Sequence, residues 1–558
     1  DPRDLHSFPT RRSSDLALGD NQKEWDTILG VNLEPSGPGG QLAFLVANIE
    51  LAGAEGAKDL LDPNNLPRAY SEKPTRPVAL NPVDPKGFAF VAGSMAGWTH
   101  APNASIVEQL AALSPSVAYS GNGFSEPDLV AEYSERLASL GRPAMQENAV
   151  AIDFVVELTE AQAWGVRWDG ESNNLTPGKF DQMHSVCLNH PKILECQQRR
   201  ADACLAAGVT NLNLVDFVWP YWGGRWGYAP ADFEAYRKAL LEQDEGLMIV
   251  EKGQRLKVTF WDYFEDYAGY RMQPADLGLA SWAEYTPTTE EIAFGPERTD
   301  ITMRNLYLFT TLYHYCWLRF LNDLGGYLEE REGHLFIIPN PEDLANASDY
   351  VWAGRLANLK GNFPEYFGNP GWTEGLYRSG GYLASAYHEA GNYIGPQLEI
   401  NAGGHGRSYY DTEVAYAVTY DLCAAMQADH IKNDFLDESA WETLTDKSNS
   451  QHDRFRDNIA KVWAFDQFKA DKPVRAGSPL AVLTSRNSNR YRGSLFYGFG
   501  ATNYMWDGCL AEALAREGYA FDAMDTSRFA PVEDYQALIW GFAEAPETSI
   551  ERIAAWLE

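Results

Sequence analysis

Eight short apolar runs are spaced along residues 88–437, each ending in polar or aromatic residues. The first is Phe88–Gly93 and the second Ser116–Ser120. The third lies near Ala144–Gln146 and leads to Glu147, and the fourth covers Leu212–Val218. His334–Ile338 is the fifth and ends at Pro339-Asn340. The sixth lies near Phe363–Phe367 and contains Pro364, which cannot donate to a ladder. Ile394–Glu399 and His430–Phe435 complete the set. Short runs of this kind, separated by helical periodicity, predict a (β/α)8 TIM barrel, an α/β fold whose chemistry sits at the carboxyl ends of its strands.

The helix before the fourth run places Leu194, Ala201, Cys204 and Leu205 on one face, and Gly208 closes it as a C-cap. After the fourth run comes an insertion of more than a hundred residues. It contains Phe260-Trp261-Asp262-Tyr263-Phe264 and Ser281-Trp282-Ala283-Glu284-Tyr285. A long helix over roughly 301–328 follows, and its Tyr307, Phe309, Tyr313, Trp317 and Phe320 read as packing because helical periodicity accounts for them.

The segments around the barrel divide the chain further. Residues 1–16 lack the apolar centre of a signal peptide and resemble the translation of a sequencing adapter. Residues 17–52 hold two strand-like runs around Pro35-Ser36-Gly37-Pro38-Gly39-Gly40, and read as the last hairpin of a β-sandwich, carbohydrate-binding-like module. A linker over 53–86 leads to the barrel at 87–475. From 476 to 558 the pattern alternates strand and helix: Leu480–Thr484, a helix near Leu510–Gly518, Tyr535–Trp540 and a helix from about Ser549. That alternation predicts a doubly wound, flavodoxin-like domain, ended within a helical pattern. No G-x-G-x-x-G opens it, which argues against a dinucleotide.

The net charge of −33 repels phosphate backbones and anionic membrane surfaces, so nucleic acid is not an expected partner. No apolar run is long enough to span a bilayer. The six cysteines form no C-x-x-C pair and read as buried thiols, without a zinc or redox signature. There is no H-E-x-x-H, no G-x-S-x-G elbow and no P-loop, and the first run lacks the histidines of a metal-dependent barrel. Lys432 reads as the partner of Asp434 more simply than as a Schiff-base lysine.

Aromatics make up 13% of the chain, with 17 Trp and 29 Tyr. Their rings suit the apolar faces of sugars as well as protein cores. Carboxylates at strand ends suit glycoside cleavage, which needs one protonated and one ionised carboxyl group. Glu399 follows an apolar strand directly and precedes a glycine-rich loop with His405 and Arg407. Asp216 ends the fourth run beside Trp219, Tyr221, Trp222, Arg225 and Trp226, where desolvation would raise its pKa toward that of a general acid. Pairing of Asp216 with Arg225, or a turn cap, is the simpler alternative. Glu147, Glu365, Asp434 and Asp437 also lie near strand ends, as sugar-binding groups or replacements for Asp216. Trp98, Trp219, Trp222 and Trp372 are candidate stacking platforms, with Asn340, Tyr366 and Asn433 as further substrate contacts.

A barrel, a long insertion after its fourth strand with Phe-Trp-x-x-Tyr and Trp-x-x-Tyr segments, and then a doubly wound domain containing Asp534-Tyr535-Gln536-Ala537-Leu538-Ile539 resembles the glycoside hydrolase family 42 β-galactosidases. The likeness covers roughly residues 87–558, in organisation more than in motif. It implies a glutamate nucleophile ending the seventh strand, matched by Glu399, and an Asn-Glu acid/base pair ending the fourth. The chain there reads Val215-Asp216, so the second motif departs from the pattern. The resemblance implies a divergent retaining exo-glycosidase without metal or organic cofactor. It also implies a carbohydrate substrate and a homo-oligomer, with a trimer as one form, built through the last domain. A non-catalytic carbohydrate-binding barrel and an inverting hydrolase or lyase on an acidic polysaccharide remain the alternative expectations.

Overall fold

The computed structural model describes residues 89–94, 117–121, 127–139, 144–149, 154–167, 170, 186–215, 227–251, 253–289, 292, 295–338, 352–363, 365–366, 387, 390–395, 397–400, 430–435, 480–484, 522–525, 535–540 and 547–557. The N-terminal hairpin and linker of the sequence reading lie outside them, as does the helix near 510–518.

In chain order the barrel region begins with β1 (Ala89–Ser94), β2 (Val117–Gly121), α1 (Pro127–Ser139), β3 (Ala144–Ala149), α2 (Val155–Glu160), α3 (Pro191–Ala206) and β4 (Asn211–Val215). The insertion carries α4 (Pro230–Leu240), the antiparallel hairpin β5 (Leu247–Glu251) and β6 (Gln254–Val258), α5 (Phe260–Ala268) and the 30-residue α6 (Asp300–Glu329). Then follow β7 (His334–Ile338), β8 (Leu359–Asn362), β9 (Glu365–Tyr366), β10 (Tyr393–Ile394), β11 (Gln397–Ile400) and β12 (His430–Phe435). The last region holds β13 (Leu480–Thr484), β14 (Asp522–Asp525), β15 (Ala537–Trp540) and α7 (Glu547–Leu557).

The sixth strand differs from the sequence expectation. It starts earlier, at Leu359, and is divided into β8 and β9 on either side of Phe363-Pro364. The seventh is divided in the same way, into β10 and β11, around Gly395-Pro396. Both breaks contain a proline, which brings no N–H to a ladder. β10 pairs with β8 as Tyr393↔Gly361, and β11 pairs with β9 as Gln397↔Glu365. The offset is the same 32 residues on both sides of the breaks, so each divided pair is one strand.

With those halves joined, the parallel sheet runs in the order 6-5-4-3-2-1-8-7 and closes on itself between strands six and seven. One register line starts at Tyr393 and passes through Gly361, Phe336 and Asn213 to Glu147. Met145, two residues before Glu147, lies on a line through Ser120, Gly93 and Asp434 to Glu399. The first line therefore returns to the seventh strand at position 401, eight residues beyond its start at 393. Eight strands with a shear of about 8 define the TIM barrel.

One face of this ring packs against helices. Leu212, Leu214, Leu335, Ile337, Leu359 and Ile394 share a continuous core with Ile193 of α3 and Leu321 and Leu324 of α6. Met145, Asn213, Phe336 and Phe363 are also buried, yet none of the four belongs to that helix-packed cluster. They alternate with it along the strands and line the barrel interior. Phe336 and Phe363 stack there with ring centroids 5.6 Å apart.

The insertion covers the outer layer with aromatic mass. Trp261, Tyr263, Phe264 and Tyr285 are almost wholly buried, and Trp282 nearly so. Trp261 meets Trp282 at 5.2 Å, and Tyr263 meets Trp352 at 4.9 Å. Thr259 caps α5 and Thr299 caps α6, each accepting from the backbone N–H three residues on. Phe309, Trp317 and Phe320 of α6 are buried core, as helical spacing predicts. Cys187, Cys196, Cys204 and Cys316 are buried free thiols. In the last region three parallel strands run in the order β14-β13-β15, and Ile553 of α7 packs on Ala481, Leu483 and Leu538.

Candidate active site

In a closed barrel the pleat decides which residues line the interior. Neighbours in register on parallel strands share a face, and so do residues two apart along a strand. Glu399 is in register with Asp434, and Gln397 with Glu365. Glu147 is in register with Asn213 and Phe336. All four strand-end carboxylates, Glu147, Glu365, Glu399 and Asp434, therefore belong to the interior face. A displacement of eight residues per circuit raises each step from strand to strand by about one residue. On that measure Asp434 and Glu365 sit one residue below Glu399, and Glu147 about two below. Asn213 lies about three below, so the whole group spans roughly 8 Å of the barrel axis.

Strands three and seven are four steps apart either way round the ring, so Glu147 stands opposite Glu399. An eight-stranded barrel is just wide enough for side chains to fill. The register thus places these four positions on one face near the carboxyl end of the strands. Tyr366 and Asn433 are in register with Leu398, one residue out of phase with these carboxylates, on the helix-facing side of the sheet. Asp216 is the first residue after β4 and lies outside the described residues, as do Trp98, Trp219, Tyr221, Trp222, Arg225, Asn340, Trp372, His405, Arg407 and Asp437. Within β4 the interior positions are Asn211, Asn213 and Val215.

The far end of the segment that follows β4 is held by a buried polar knot. Asp232, in the first turn of α4, is buried. Its Oδ1 accepts from Asn189 Nδ2 at 2.8 Å and from the Cys187 thiol at 3.2 Å, and its Oδ2 accepts from Ala229 N–H at 3.1 Å. Burial raises the Asp232 pKa, and the three hydrogen bonds oppose that rise. Burial, with Asp232 beside it, pushes the Cys187 thiol well up, so it is an inert donor. Gly227 begins the described chain here with φ +97°, its carbonyl accepting from Tyr236 Oη at 3.1 Å. A Cβ on it would lie 2.7 Å from that hydroxyl, so the position needs glycine on two counts. The Tyr228 hydroxyl donates to Thr288 O at 2.7 Å.

Sequence reading missed this knot, because Asp232 lies 45 positions from Cys187 and 43 from Asn189. The only local trace was Pro230 followed by Asp232 at a helix start. It also missed Asn213. That side chain is fully buried, and neither its amide nitrogen nor its amide oxygen has a hydrogen-bond partner.

No protein-family model and no curated protein matches the chain in sequence. Solved structures do match in shape. The β-galactosidase of the psychrophilic Marinomonas ef1 aligns with a TM-score of 0.54 at 12% identity, over 84% of this chain and 74% of that one. The α-L-fucosidase isoenzyme 2 of Paenibacillus thiaminolyticus aligns with a TM-score of 0.48 at 13% identity, over 84% of this chain and 62% of that one. At such identities the Marinomonas likeness is one of fold, and it agrees with the ring closure derived above: this chain has a TIM-barrel fold similar in shape to that β-galactosidase.

Proposed function

We propose that the chain is a retaining exo-glycoside hydrolase acting on a β-linked glycoside or oligosaccharide. The observation that carries this reading is the gathering of Glu147, Glu365, Glu399 and Asp434 onto one interior face at the carboxyl end of the barrel. Retention needs two carboxyl groups about 5 Å apart, one to attack and one to protonate the leaving oxygen. Glu399, highest of the four, is the nucleophile that forms the glycosyl-enzyme. Asp216 is the acid/base, first protonating the leaving group and then activating water. β4 alternates Asn211, Asn213 and Val215 onto the interior face, so this role requires the chain to leave the pleat after Val215. Glu365 and Asp434 hold sugar hydroxyls, and Trp98, Trp219, Trp222 and Trp372 stack on the ring. This chemistry calls for no metal or organic cofactor. A homo-oligomer formed through the last domain completes the reading.

Kinetics on aryl β-glycosides test it. Glu399→Gly should abolish turnover, and azide should restore it with an inverted glycosyl azide as product. Asp216→Ala should lose roughly 10²- to 10⁴-fold on poor leaving groups and little on dinitrophenyl glycosides. If Glu147→Ala shows that pattern instead, the acid/base belongs to the third strand. A wild-type protein that binds sugars yet releases no phenol, or that gives an inverted anomer at first turnover, sinks the proposal.

A further inference from the structure

Asn213 is the one hydrogen-bonding side chain on the described interior face of β4 that is both fully enclosed and unclaimed. Asn211, two residues earlier, gives its amide to Ala144 O at 3.0 Å. In register, Asn213 is flanked by Glu147 and Phe336. The Phe336 ring turns toward the sixth strand, where a Cβ on Gly361 would lie 2.7 Å from it, and it stacks on Phe363. It covers that neighbour and offers the Asn213 amide nothing polar. Lys432 occupies about the same axial level on the eighth strand, four steps round the ring.

A buried amide left without partners destabilises a fold by about 1–3 kcal/mol. A leucine, branched at the same carbon with as many side-chain heavy atoms, would remove that cost. An asparagine below the strand-end positions of Glu147, Glu365, Glu399 and Asp434 therefore suits a group that enters from the mouth and can both donate and accept. A hydroxyl does both, and an amide presents one donor side and one acceptor side. We propose that Asn213 is a specificity-determining residue that receives a hydroxyl of the terminal sugar at the floor of the pocket, beside Glu147. The inference rests on the glycosidase reading and adds that the site is a blind, hydroxyl-selective pocket. Sites built to hydrogen-bond a hydroxyl reject analogues that lack it far more strongly than apolar pockets discriminate size.

The test pairs stability with recognition in the full chain. Melting temperature is measured for wild type and Asn213→Leu, alone and with D-galactose, D-glucose and each of their monodeoxy forms. KM and kcat on the matching aryl glycosides are measured alongside. Asn213→Leu should melt higher than wild type without sugar. Wild type should bind one monodeoxy form roughly 10- to 100-fold more weakly than its parent, and the variant should lose that preference. Asn213→Gly, which removes the amide without adding bulk, carries the same recognition test should the leucine variant not fold. Unchanged deoxy preference in both variants overturns the inference and leaves the glycosidase reading standing. A leucine variant that melts lower, with recognition intact, assigns the amide to a structural water and overturns it equally. A wild-type protein that neither binds nor cleaves any sugar removes both.

Discussion

Replacing Asp232 by asparagine probes the knot that anchors the segment after β4. The carboxylate accepts three hydrogen bonds through two oxygens. An asparagine side chain has one oxygen and one NH2, so at least one of those donors would face another donor. An orphaned buried donor costs about 1–3 kcal/mol, and hydrogen bonds that lose their charged acceptor weaken as well. Against this, the neutral amide avoids the burial cost that raises the Asp232 pKa. The net loss should be about 1–3 kcal/mol, a fall of roughly 1–4 °C in melting temperature for a domain of this size. The pH dependence has a definite sign. A carboxyl whose folded pKa is raised contributes stability that is full below its unfolded pKa of about 3.9 and is lost as pH rises through the folded pKa. The advantage of wild type over Asp232→Asn should therefore shrink as pH rises from 4 toward neutrality. Thermal denaturation across that range checks both claims, with Asn189→Ala completing a double-mutant cycle expected to show coupling of about 0.5–3 kcal/mol. A variant as stable as wild type at every pH, or additivity in the cycle, refutes the reasoning.

Two further substitutions have signs that the structure decides. Gly325 lies within α6, where helix propensity favours alanine by about 1 kcal/mol. A Cβ there would meet the backbone carbonyl of Asn358 at 2.3 Å, so Gly325→Ala should lower stability by about 1–3 kcal/mol in urea titration, against propensity. His190 caps α3 by accepting from Lys192 N–H at 3.2 Å, and burial holds its pKa down, with Asp232 opposing. Its neutral form is the cap, so its contribution is present above the unfolded pKa of about 6.5 and is lost as pH falls through the lower folded value. His190→Asn, a cap that does not titrate, should flatten the melting temperature between pH 7 and 5.

The barrel was legible because its buried strands leave apolar runs. The fifth and eighth, His334–Ile338 and His430–Phe435, stand where the sequence placed them. The sixth was displaced because Pro364 made the expected run a poor strand, while Leu359–Asn362 contains Lys360 and Gly361 and lacks the pattern of one. Hairpin β5–β6 escaped notice because four residues of β6 are exposed and its alternation carries no apolar signal. For the candidate site, residue type and position nominated Glu147, Glu365, Glu399 and Asp434, and strand register sets the four on one face. Face could not be read, and Asn433 looked as suitable as Asp434 until register set them one residue apart in phase. Asn213 had no signal at all, because being unpaired is a property of the surroundings.

The divided sixth and seventh strands bear on how the ring can come apart. Each break adjoins a proline in the sequence, and a proline brings no N–H to a ladder, so that joint can hold fewer rungs than an unbroken pair of strands. Six strands lie before it in the chain and two after it. That seam should therefore protect its amides from solvent deuterium less than the unbroken pairings of β3, β4 and β7 do.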